Sequence, residues 1–226
     1  MKCAQCKIIE KICRSPEGRG PNECPTKTQS ALFEKVLSEY QKPEIKEFAR
    51  VASVQEGECY IKKEEEPYAR HPIKPRLQEL IEFSKKLGYK KLGIAFCSGV
   101  FHEAALLTEI LERHGFTVVS AVCKAGRIPK EEIGVKEDEK VRPGRFESMC
   151  NPIGQAMLLN KAVTDLNVMI GLCVGHDALF LKYVKAPTTV FAVKDRVTGH
   201  NPFVSLYTLH SYSERFMKRD HEVWKV

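Results

Sequence analysis

The sequence lacks any apolar run approaching the roughly 20 residues that a membrane-spanning helix needs. It also lacks an apolar stretch of signal-peptide length behind Met1, since Met1-Lys2-Cys3-Ala4-Gln5-Cys6 leads straight to cysteine. These two absences set the expectation of a cytoplasmic protein with no membrane partner. No stripe of basic and aromatic residues is present either, so the net charge of +7 does not by itself make a nucleic-acid face. Charges of both signs alternate instead, as in Lys62-Lys63-Glu64-Glu65-Glu66 and Lys136-Glu137-Asp138-Glu139-Lys140, the pattern of a solvated surface.

What the chain does have is cysteine, nine in 226 residues. In a reducing compartment thiols are poor material for structural disulfides, which turns attention to metal ligation or redox work. Hydrophobic residues at 43% and charged residues at 29% describe a globular chain, long enough for one α/β domain and a small appendage.

Three regions follow from the pattern. Residues 1–27 hold four cysteines among Pro16, Gly18, Gly20, Pro21 and Pro25, too little apolar material for a core, so this module needs a staple. Residues 28–74 read as a helical connector, with one helical pattern from Lys27 to about Tyr40 and a second after Pro43. Residues 75–226 alternate strand and helix. Helices are expected before Leu87-Gly88, before Gly115, over Pro152–Lys161 and around Ala178–Tyr183. Short apolar runs at Lys91–Cys97, Phe116–Cys123, Asn167–Cys173 and Thr188–Val193 read as buried parallel strands. The expected fold is α/β: a doubly wound, mostly parallel four-stranded sheet of flavodoxin- or Rossmann-like type, in strand order 2-1-3-4.

Cys3, Cys6, Cys13 and Cys24 have the spacing C-x2-C-x6-C-x10-C, with Pro25 directly after the last. Two thiolates two residues apart can hold one centre, and two later ones complete four-coordination. The set suits a 4Fe–4S cluster or, alternatively, a closed structural zinc site.

A second set lies in the α/β region. Cys97, Cys123 and Cys173 each end an expected strand, and Cys150 precedes an expected helix at Pro152. All carboxyl ends of a parallel sheet lie along one edge, where ligands gather at the reversal of strand order. A helix start beside Cys150 favours negative charge. The bland alternative treats each cysteine as a small core hydrophobe. Ser98 and Gly99 after the first strand, Gly175 and Asp177 after the third, and Lys194 and Arg196 after the fourth fall on the same edge as candidate cofactor-binding residues. His176 and His200 are the candidate proton donors there. Asp177 also suits a helix cap at Ala178, and Asp195–Arg196 an ion pair bracing its loop. Cys97-Ser98-Gly99-Val100-Phe101 is too short and apolar for the phosphate loop of a flavin carrier.

The N-terminal cysteine array, Gly93-Ile94-Ala95-Phe96-Cys97, Cys150-Asn151-Pro152, Gly171 to Asp177 (GLCVGHD) and Lys194 to Pro202 (KDRVTGHNP) occur together and in this order. In this the chain resembles a family of uncharacterised cysteine-rich proteins of archaea and anaerobic bacteria, domain of unknown function 1847. The resemblance implies metal binding through cysteine and leaves the reaction open. Together the residues lead us to expect an iron–sulfur protein with redox or sulfur chemistry, working with a redox partner or a small sulfur-containing substrate. The alternative is a zinc-stapled binding or regulatory protein without catalysis.

Overall fold

The computed structural model describes residues 1–61 and 71–218. The Lys62–Glu66 charge run lies outside the described residues. Two compact units divide the chain, Met1–Ile73 and Lys74–Val226.

In the first unit, a single 3-10 turn at Cys3–Gln5 and a bridge between Lys11 and Arg19 precede the helices α1 (Pro25–Thr28), α2 (Ser30–Tyr40) and α3 (Pro43–Glu58). Prolines open α1 and α3, where the missing N–H costs nothing because the first turn leaves its N–H groups unpaired anyway. The helical pattern expected from Lys27 to Tyr40 is broken at Gln29, which leaves helical geometry at φ −124°, ψ 36°. The Thr28 hydroxyl donates back to the Cys24 carbonyl at 3.2 Å. A two-residue antiparallel pair, β1 (Tyr60–Ile61) and β2 (His71–Pro72), ends the unit. Cys59 is a buried residue whose Sγ donates to the Gln55 carbonyl at 3.0 Å.

The second unit begins with α4 (Arg76–Lys86), which stops at Gly88 in the left-handed region, φ +69°. There follow β3 (Lys91–Phe96), α5 (Phe101–Arg113), β4 (Thr117–Val122), α6 (Pro152–Ala162), β5 (Leu166–Leu172), α7 (His176–Tyr183), β6 (Thr188–Val193) and a short α8 (Phe203–Tyr207). The four strands are parallel and lie in the order β4-β3-β5-β6. This is the 2-1-3-4 arrangement that strand–helix alternation leads one to expect.

Burial explains the order. All seven residues of β5 are buried and five of the six in β3, so these apolar runs occupy the centre; β4 and β6, only partly buried, form the edges. The core gathers Leu92, Ile94, Leu111, Leu159, Val168 and Phe180, each wholly buried, and each such side chain contributes about 1.5–3 kcal/mol over its exposed state. Gly93 allows the closest approach: a Cβ there would collide with Asn167 Oδ1 and stand 3.1 Å from Leu159 and Thr164.

Candidate functional site

The strand order reverses between β3 and β5, and the carboxyl ends of the strands open onto that crevice. Cys97, Cys123 and Cys173 each follow the last residue of their strand directly. Pairing of Phe96 with Val122 brings Cys97 and Cys123 level, and the Cys123 N–H donates to the Phe96 carbonyl at 2.9 Å. Their thiols hydrogen-bond to each other. Cys150 reaches the same point from the other side: the N–H of its neighbour Asn151 donates to the Cys123 carbonyl at 2.7 Å, and its thiol meets that of Cys123. Three cysteines far apart in the chain thus form one line of thiols with Cys123 in the middle.

Cys173 stands apart from that line, and the register gives the reason. Phe96 pairs with Ile170, so Gly171 lies level with Cys97 and β5 runs on to Leu172. Cys173 comes two residues further out. It acts on Cys150 through its charge and accepts from Arg196 Nη2 at 3.1 Å.

The backbone completes the rim. The turn Ser98–Val100 directs the Ser98 N–H at Cys123 Sγ (3.3 Å) and the Gly99 N–H at Cys97 Sγ (3.5 Å). Under the thiols, the amide of Gln155 on α6 donates to the Phe96 carbonyl at 3.1 Å and the Ala121 carbonyl at 2.6 Å, tying the ends of β3 and β4 together. Asn151 caps α6, accepting from the Gly154 N–H at 2.8 Å and donating to the Ala125 carbonyl at 3.1 Å.

Electrostatics give the three thiols different characters. The hydrogen bond to Cys123, and then burial, push the Cys97 thiol up to about 12, against the opposing pull of the Gly99 N–H and Lys194. Cys150 is drawn down to about 6, first by its hydrogen bond with Cys123 and then by the Lys124 ammonium, against burial and the charge of Cys173. Cys97 therefore keeps its proton where Cys150 gives its own up to become a thiolate. His176 lies near enough to feel Cys97 and Lys124; burial, followed by Lys124, lowers its pKa and favours the neutral imidazole.

The other candidates fall into two groups. Lys194, at the end of β6, faces Gly99 and Gly171 across the crevice. Asp177 lies inside the first turn of α7, where its carboxylate accepts the N–H groups of Gly175 (2.9 Å) and Ala178 (2.7 Å), so Asp177 serves the helix start and Gly175 its entry. The Asp195 carboxylate accepts from Val197 and Thr198 N–H at 3.0 Å each, while Arg196 turns to Cys173; the loop is braced by backbone, not by an Asp195–Arg196 pair. His200, at φ +68°, is held by the same loop, with Nδ1 3.1 Å from the Asp195 N–H and 3.0 Å from the Val193 carbonyl. Lys124 and Gln155 join the site without a motif to mark them. Lys124 directly follows a strand-end cysteine, and Gln155 is a polar residue one turn into a helix that must pack on the sheet; these were the available signals.

The N-terminal cysteines lie on a different kind of surface. Cys3 and Cys13 are exposed, Cys6 and Cys24 half-buried. Among the described residues, no three histidine, cysteine, aspartate or glutamate side chains stand placed to hold a metal ion, in this module or at the rim. No helix among the described residues is long and apolar enough to cross a membrane.

Residues 24–191 match the family described as "Protein of unknown function (DUF1847)". That span takes in the last N-terminal cysteine, all four rim cysteines and nearly the whole sheet. The chain is also 44% identical over 208 residues to "Uncharacterized protein MJ0455" of Methanocaldococcus jannaschii, covering 92% of this chain and 94% of the relative. The cysteine-rich chain with its four-stranded parallel sheet belongs to the DUF1847 family.

Proposed function

We propose that this is a metal-binding protein whose rim thiols, Cys97, Cys123, Cys150 and Cys173, take an iron–sulfur cluster of the 4Fe–4S kind for redox or sulfur chemistry. The observation that carries the reading is that Cys123 interacts with both Cys97 and Cys150 at the carboxyl edge of the sheet. The donor chemistry fits such a group. All four donors are soft, two accept backbone N–H groups and a third accepts a guanidinium, and hydrogen bonds of this kind to sulfur tune cluster potentials. A single zinc ion needs its ligands about 2.3 Å from one centre, which suits the outlying Cys173 poorly. A cluster takes each thiolate at a separate iron and tolerates that offset.

A bound cluster supplies electron transfer or, with one iron left open, a Lewis acid. The chain's own residues do the rest. Ser98 and Gly99 orient the sulfurs through their N–H groups, Lys124 and Arg196 balance negative charge, and His176 holds a neutral imidazole beside the thiols for proton transfer.

For the N-terminal set a specific observation favours a staple: not one of residues 1–27 is buried. A segment without a core gains its order from a bound metal, and zinc serves there as well as a cluster. The whole chain would then be either an iron–sulfur protein with a structural module or, as the second reading, a zinc-stapled protein without catalysis.

Anaerobic purification with an absorption spectrum and metal analysis tests this. A broad band near about 400 nm with iron and acid-labile sulfide supports the cluster; zinc alone supports the second reading. Cys173→Ala should deplete the rim and leave the N-terminal module loaded, and Cys6→Ala should do the reverse. A chain that binds neither iron nor zinc sinks both readings.

A further inference from the structure

Among the described residues, the lysines withdrawn from solvent are paired with one exception, and that exception sits at the rim. Among the described residues, the buried and half-buried lysines Lys11, Lys74, Lys91, Lys124, Lys130 and Lys140 each set Nζ against a carboxylate or a carbonyl. Lys194 is half-buried as well, and among the described residues no oxygen receives its ammonium; only its backbone N–H is bonded, to the Leu172 carbonyl at 3.0 Å. The carboxylates on the same edge, Asp195 and Asp177, are committed to their own loop and helix start.

The fold makes room for this unmatched cation. A Cβ on Gly99 would stand 3.3 Å from Lys194 Nζ, and one on Gly171 3.7 Å from it. Gly171 also holds φ +66° and would meet Val100 at 3.0 Å, so its lack of a side chain is required twice over. The same Gly99 Cβ position is 3.9 Å from Cys97 Sγ, which places ammonium and thiol in one small volume. A half-buried ammonium without a counter-charge is costly, and its placement at the carboxyl edge, where open α/β sheets bind ligands, gives that cost a use.

We infer that Lys194 is the anchor for the anionic end of a small ligand, a carboxylate or sulfonate, whose other end lies against the Cys97–Cys123 thiols. This deepens the reading above and rests on it only for the sulfur-directed end; the anchor itself needs no metal. Binding here is non-covalent, the ammonium donating to the anion's oxygen.

The test is calorimetric titration of the anaerobically purified full chain with mercaptoacetate, acetate and 2-mercaptoethanol, repeated on Lys194→Met and Lys194→Arg, with metal content recorded for each sample. Mercaptoacetate and acetate should both bind about tenfold or more weakly to Lys194→Met, as for the loss of a charge-assisted hydrogen bond. Lys194→Arg should recover most of the affinity, and 2-mercaptoethanol should bind all three alike. Equal affinity of wild type and Lys194→Met for the two acids, or no binding of either acid to wild type, overturns the inference. Loss of metal from Lys194→Met with unchanged acid affinity would assign the ammonium to the thiols and overturn it too. A metal-free chain that still loses acetate affinity on Lys194→Met upholds the anchor while removing the metal reading.

Discussion

The backbone N–H of Ser98 donates to Cys123 Sγ over 3.3 Å, so the turn leaving one strand holds the thiol that ends its neighbour. Because Cys123 also bonds the thiols of Cys97 and Cys150, this one contact fixes the centre of the line. The rim is a property of the sheet: neither partner has any reason to meet the other except the pairing of Phe96 with Val122 beneath them.

Removing the middle thiol should therefore change both ends in opposite directions. In chelator-treated protein, Cys150 should be half-reactive toward iodoacetamide at about pH 6, and Cys97 should stay unreactive until far higher pH, since its thiol is pushed up to about 12. The sign follows from the thiolate being the nucleophile: reactivity rises as pH climbs through each pKa. In Cys123→Ala the Cys150 profile should move to higher pH and the Cys97 profile to lower pH, read by mass spectrometry of labelled peptides. Unchanged profiles would mean that the thiols do not interact.

Much of this was legible in the sequence, for a reason particular to parallel sheets. Apolar runs closed by Cys97, Cys123 and Cys173 declare both a strand and its carboxyl end, and all such ends share an edge. Register is another matter. Nothing local to Asn167–Cys173 says that β5 extends two residues past the level of Cys97, so the offset of Cys173 is visible only once Phe96 is seen opposite Ile170. Side-chain direction was equally out of reach. The KDRVTGHNP stretch announces a charged loop, but whether Arg196 pairs with Asp195 or with Cys173 depends on where the chain leaves β5 at Cys173, 23 residues before Arg196. The break of α1 from α2 is a single residue, Gln29, leaving helical geometry, a local event that periodicity does not register.

Asn151 links stability to the site. Its side chain caps α6 and also holds the Ala125 carbonyl, two hydrogen bonds that keep the residue after Cys150 in place. Asn151→Ala should cost about 1–2 kcal/mol, measured as a lower urea midpoint with an unchanged slope, and should broaden the Cys150 alkylation profile. Asn151→Asp keeps the acceptor for the Gly154 N–H and should recover part of the loss.

Gly93 tests the centre of the sheet. Gly93→Ala sets a methyl against Asn167 Oδ1 with Leu159 and Thr164 close behind, and the Thr164 hydroxyl already donates to that same oxygen at 2.8 Å. Overpacking of this kind costs about 1–3 kcal/mol, and displacing Asn167 adds to it. Thermal unfolding should show a clear drop in midpoint, whereas Gly57→Ala, where nothing stands within 4 Å of the added methyl, should leave it near the wild-type value.

Arg196 offers a way to separate the ligands from what supports them. Its Nη2 reaches Cys173 Sγ at 3.1 Å, and the exposed guanidinium makes no ion pair with Asp195 to confuse the result. Loss of a hydrogen bond to a ligating sulfur lowers metal affinity by about tenfold to a hundredfold. On the proposed reading, Arg196→Ala should thus release rim metal to a competing chelator about tenfold more readily, while metal proposed for Cys3, Cys6, Cys13 and Cys24 is retained. Arg196→Lys should lie between, because an ammonium keeps the charge but not the planar donor pair. If both pools leave together, or neither responds, Cys173 is not a ligand of an independent rim site.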